Sequence, residues 1–172
     1  MNEPPSPTSL EPSVTAIVGR LVRVIGASDY PAGDRAQLRR WSPGQHVPLA
    51  FYRLWLRHSG TDLPTETQTI AWLALAWSIA MLGASAHLPQ RSWGRALAES
   101  GYAESRLERL LSSPADVRLE LVMSAVRFLS ANNERCDLVD IAHFLLTTDP
   151  VKREGLHRRI AQAFYRHLPK ND

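Results

Sequence analysis

Arg35, Arg39 and Arg40 crowd into the segment GDRAQLRRW, and they are the first side chains in this 172-residue sequence whose type and spacing suggest a task. Positions 35 and 39 are four apart and share a helical face, with Arg40 beside them. A guanidinium carries five donors in a planar fork that matches phosphate oxygens and also stacks on bases. Like charges at this spacing repel by about 0.2–0.5 kcal/mol per pair, so the cluster wants an anionic partner. Asp34 can neutralise part of it from within, and a helix starting behind Asp34 would add backbone N–H donors for an anion. A second set, Arg106 and Arg109, lies three apart in AESRLERLL, opposite Leu107, Leu110 and Leu111 and tempered by Glu108. In the last helical stretch Lys152, Arg159 and Arg166 recur every seven residues along an apolar arc of Leu156, Ile160, Ala163, Phe164 and Leu168, with Arg158 further round. A solvated helical face gives the same stripe, but beyond Asp149 only Glu154 answers its charge there. Trp41, Trp93 and Tyr165 are candidate stacking surfaces for unpaired bases, worth about 1–3 kcal/mol per base, or else ordinary core aromatics.

Other chemistry lacks its minimal parts. No phosphate loop, dinucleotide fingerprint, HExxH or GxSxG is present. Asp137, Asp140 and His143 recur at a spacing of three, where a metal could sit on one side of a helix. Asp137 is better used as an N-cap, and Leu138, Ile141, Ala142 and Leu145 need their own face for the core. Cys136 has no histidine suggested beside it, and a buried thiol is the common state of a lone cysteine. The chain is therefore read as non-enzymatic, with no cofactor and no metal.

These side chains need a helical frame, and the periodicity supplies one. Val14, Ile17, Val18, Leu21, Val22 and Ile25 form one helix face closed by Gly26. A short helix over 33–41 follows with Asp34 as its N-cap, then one opened by Pro48, in which Leu49, Tyr52 and Leu56 share a face flanked by Phe51 and Trp55. The uncharged run from about 65 to 84 predicts a buried central helix. Its strongly apolar part is shorter than the roughly 20 residues of a membrane span, so no membrane association is expected. Helices over 92–99 and 103–111 come next, then one capped by Ser113 with Pro114 at its first position and running to about residue 131. Asp137 caps a helix over 138–146, and Asp149 with Pro150 starts a last one that ends before Pro169. The reading is an all-α multi-helix bundle over 13–168, with a possible division into two lobes near 87–90. Pro-rich residues 1–12 and residues 169–172 are expected to be tails.

Composition agrees. A hydrophobic fraction of 44% with nine Gly excludes global disorder. The net charge of +3 is modest, but it rests on 18 Arg against two Lys. A preference for Arg codons would give that count too, so position decides. One cysteine excludes an intrachain disulfide framework and fits a reducing cytoplasm, and the N-terminus reads as neither signal peptide nor anchor.

Taken in order and at these separations, GDRAQLRRW, AFYRLW, SWGRALAESGYAESRLERLL and RRIAQAFYRHL resemble the CasB family, the small subunit of the type I-E CRISPR surveillance complex, Cascade. The likeness spans about residues 13–168. It implies a helical subunit without enzymatic activity, present as two copies packed head to tail along the inside of the complex. Such a subunit contacts the backbone subunits and the large subunit, and lies close to CRISPR RNA and target DNA. Its basic surface would stabilise the R-loop, largely by holding the displaced single strand. Base pairing supplies specificity in such systems, so the protein need only hold backbones. Carried over by position, the resemblance marks Arg35, Arg39 and Arg40, then Arg106 and Arg109, then Arg158 and Arg159, with Arg109 and Arg158 open to internal ion pairing instead. Two other functions fit a basic helical chain. One is a scaffold or adaptor that binds only protein; the other is a small regulator whose Arg39 and Arg40 read a DNA groove, which requires a symmetric dimer.

Overall fold

The computed structural model describes residues 11–170, so of the two expected tails residues 1–10 and 171–172 lie outside the described residues. Nine α-helices follow one another among the described residues: α1 (Val14–Gly26), α2 (Ala32–Arg40), α3 (Leu49–His58), α4 (Glu66–Leu82), α5 (Trp93–Glu99), α6 (Glu104–Leu111), α7 (Ala115–Ala131), α8 (Leu138–Leu146) and α9 (Pro150–His167). The described residues form no strand; one isolated bridge joins His87 to Cys136.

The all-helical architecture follows from α4. Every residue from Ala71 to Ala80 is buried, and the helix packs against α1, α2, α7 and α8. An apolar circumference needs neighbours on all sides, and these four provide them. Thr65 caps its start by accepting from the Gln68 N–H. Among the described residues no helix is long and apolar enough to cross a membrane. The buried residues form one cluster running from Ile17 to Phe164. The segment near 87–90 is laced to the chain before α8: Leu88 N–H donates to the Cys136 carbonyl at 3.0 Å and Cys136 N–H to the Ala86 carbonyl at 3.1 Å.

α5 and α9 are in close contact at Gly94, where a Cβ would collide with the Ile160 carbonyl. Only glycine allows that approach. The α5 N-terminus is held twice, by Ser92 as N-cap and by Asp140, which accepts the Trp93 N–H at 2.9 Å.

Three local expectations need correction. α2 starts at Ala32 behind Pro31, and Asp34 sits in its first turn rather than at its cap. The fixed φ of proline suits that entry, and the Asp34 carboxylate is engaged by Arg53 at 2.6 Å. On α3 the buried residues are Ala50, Phe51, Leu54 and Trp55, while Leu49 and Leu56 stand 67% and 60% exposed. Both stripes have helical spacing, but the one holding Phe51 and Trp55 buries more apolar area and so faces inward. Before α7 the cap position belongs to Pro114, and the buried Ser113 hydroxyl donates backwards to the Leu110 carbonyl at 2.8 Å.

Candidate nucleic-acid interface

Eight of the nine basic residues singled out above are exposed: Arg39, Arg40, Arg106, Arg109, Lys152, Arg158, Arg159 and Arg166. The ion pairs that arginines form among the described residues use other side chains. Arg53 engages Asp34, Arg91 engages Glu99 and Glu134, and Arg95 engages Glu99. The internal pairing considered for Arg109 and Arg158 is therefore not seen. Their helices turn these groups outward because Leu107 and Leu110 on α6, and Leu156, Ile160 and Phe164 on α9, take the buried side.

The ninth, Arg35, is half-buried and engaged. Its Nε and Nη2 donate to the Ile25 carbonyl at 3.2 and 2.9 Å, Nη2 also donates to the Ala27 carbonyl at 2.9 Å, and Cζ lies 5.5 Å from the Tyr30 ring centroid. Ile25 lies in the last turn of α1 and Ala27 is its C-cap, so Arg35 supplies donors to carbonyls at the negative end of that helix. The outward part of the first cluster is thus Arg39 with Arg40.

That use of arginine recurs. Arg20 donates to the carbonyl of Ser59, the α3 C-cap, at 2.6 Å. Arg118 donates to the Ser113 carbonyl, just past α6, at 3.1 Å. Arg153, buried on α9, donates to the carbonyl of Thr147, the α8 C-cap, at 2.9 Å and lies 5.3 Å from the Phe144 ring centroid. Burial lowers the proton affinity of Arg118 and Arg153 and, with Arg153 next, of His157. Part of the arginine excess therefore serves the fold.

One basic residue joins the α2 face without having been anticipated. The Trp77 indole on α4 donates to the Arg39 carbonyl at 3.2 Å, and exposed Arg127 of α7 lies with Cζ 5.0 Å from the same ring centroid. A single indole thus brings a cation from α7 to the end of α2. Sequence offers no signal for this, because only the packing of α4 against both α2 and α7 creates it.

The other candidates go inward. Trp41 and Trp93 are 3% and 0% exposed, which removes them as stacking surfaces, whereas Tyr165 is 56% exposed and donates its hydroxyl to Glu104 at 3.2 Å. Asp137 accepts the Val139 N–H as the α8 cap and Asp140 serves α5, so both carboxylates have structural partners. No group of three metal-ligating side chains occurs among the described residues. Cys136 is buried, and burial pushes its thiol well above the ordinary range.

Fold and surface together define a helical protein that turns guanidinium groups outward on α2, α6 and α9 with no ion pair among the described residues. The family model described as CRISPR-associated protein Cse2 matches residues 34–165. The chain belongs to the Cse2 family of CRISPR-associated proteins. A Cse2-family protein from Thermus thermophilus shares the fold with a TM-score of 0.71 at 21% identity, covering 88% of this chain and 97% of that one. CasB from M. ruber superposes with a TM-score of 0.67 at 19% identity, covering 90% and 93%. None of the curated proteins compared with the chain matches it.

Proposed function

We propose that this chain is the non-catalytic small subunit of a type I-E CRISPR surveillance complex, acting in the cytoplasm to stabilise the R-loop by holding guide, target and displaced-strand backbones. The observation that carries the reading is the set of eight exposed cations, none of them ion-paired among the described residues. Unpaired guanidinium groups on three helices suit phosphates, and a strand held by its backbone needs no base readout. The buried, proton-retaining thiol of Cys136 argues against its use as a nucleophile. Backbone and large subunits, and a second copy of the chain, would cover apolar surface such as Leu49, Leu56 and Val151.

The test is Arg39→Glu with Arg40→Glu in the assembled complex, leaving Arg35 intact because it holds α1. Target binding should weaken, and if both arginines meet single-strand phosphates the salt slope should become shallower by about 1.4. Unchanged R-loop stability with an intact fold would refute the proposal. The protein-only scaffold has one observation in its favour: Glu104, Glu108 and Glu154 line a hollow with Leu107 and Leu111. It predicts that the reversal changes subunit assembly and leaves strand binding untouched.

A further inference from the structure

Two hollows flank α2. One, of about 350 Å³, lies between the end of α1 and the end of α4, with Ile25, Ile79, Met81 and Ala84 among its walls and Arg35 and Arg39 as its only charged lining among the described residues. The other, of about 410 Å³, lies on α2 itself over Ala32 and Ala36, lined by Arg35, Arg39 and Arg40. Arg39 borders both. Neither is lined by a carboxylate of the described residues, whereas the α6–α9 hollow has Glu104, Glu108 and Glu154, and another beside α3 has Glu11 and Asp62. Acids there would repel a phosphate; α2 would attract one.

The first hollow does more than attract charge. Its volume falls at the low end of small-ligand pockets, about 300–1,000 Å³, which suits one flat group rather than a paired duplex. Its walls mix apolar groups of Ile79, Met81 and Ala84 with backbone at Gly26 and Gly83, and the Arg35 guanidinium is fixed beside them by its three hydrogen bonds to Ile25 and Ala27. Arg39 is exposed beside it.

We propose that this pocket receives one unstacked base of a single-stranded nucleic acid, with Arg39 holding the adjacent phosphate. The proposal rests on the reading of α2 as a nucleic-acid face and deepens it. A fixed guanidinium plane and the apolar part of the wall suit the faces of a base, the backbone polar groups there suit its edge, and an exposed guanidinium suits the phosphate next to it. A base inside a duplex is stacked on both faces and cannot enter, so the pocket selects unpaired strand.

The test measures low-salt anisotropy with the full chain, an oligothymidylate and an abasic oligonucleotide of equal length. Wild-type protein should bind the oligothymidylate about tenfold more tightly than the abasic strand. Ala84→Phe, which fills the pocket from an exposed wall position, should abolish that preference without weakening abasic binding, and Ser28→Phe should do the same if Ala84→Phe fails to fold. Arg39→Ala should weaken both ligands. Equal wild-type affinity for the two strands, or an undiminished preference in the filled variants, overturns the pocket while leaving the α2 face standing. If wild-type protein binds neither strand, or Arg39→Ala leaves both affinities unchanged, the α2 reading fails and the pocket with it.

Discussion

Replacing Arg35 by alanine removes three hydrogen bonds from the last carbonyls of α1 and a guanidinium from the Tyr30 ring. Hydrogen bonds from a charged donor contribute about 1.5–3 kcal/mol, and a partly exposed cation–π contact about 0.5–1 kcal/mol. The Ile25 and Ala27 carbonyls regain water only in part. Because the side chain is half-buried, we expect a loss of about 2–3 kcal/mol. For a protein of this size that lowers the melting temperature by about 4–12 °C. Arg39→Ala, four residues on and exposed, should stay within about 0.5 kcal/mol of wild type. Arg35→Lys should fall between, since an ammonium cannot bridge two carbonyls with a planar fork. Urea unfolding followed by circular dichroism separates the three variants. If Arg35→Ala unfolds together with Arg39→Ala, the assignment of Arg35 to the fold is wrong.

Gly94→Ala places a Cβ against the Ile160 carbonyl and should cost about 1–3 kcal/mol by forcing α5 from α9; an unshifted urea midpoint would contradict that packing. The hydrogen bond from Arg95, with burial opposing it and Arg91 adding to it, holds the Glu99 carboxyl below its ordinary value. A depressed carboxyl stabilises the fold above its unfolded pKa of about 4.3, and that contribution disappears as pH falls through the folded value. The stability gap between wild type and Glu99→Gln should therefore close on acidification, and a gap constant from neutral pH to about pH 3 would count against it. Buried Cys136 should resist thiol reagents in the native state and react at the rate of unfolding; rapid labelling of folded protein would show the site is open.

The helices were legible from their apolar spacing more than from their caps. Asp137 and Asp149 accept from the first turns of α8 and α9 as expected, whereas Asp34 and Ser113 do not cap α2 and α7. Which face turns inward was less legible. On α3 two stripes have compatible spacing, and only the bulk of Phe51 and Trp55 against Trp72 decides between them, with Trp55 and Trp72 centroids 5.1 Å apart. The candidate interface was legible as a set of cations but not by role. Nothing local separates Arg35 from Arg39; the difference is that α1 ends beside one and solvent lies beside the other. Arg127 and Arg153 were missed for the same reason, since a partner on another element defines each.

The ties that Arg20, Arg35, Arg118 and Arg153 make to helix-end carbonyls have a consequence for handling the protein. They are short, partly sheltered contacts to neutral oxygens, which ionic strength screens weakly, whereas grip on a polyanion depends on counterion release and weakens steeply with salt. On the proposed function, concentrated salt should therefore release any polynucleotide this protein carries through purification and leave its helices joined.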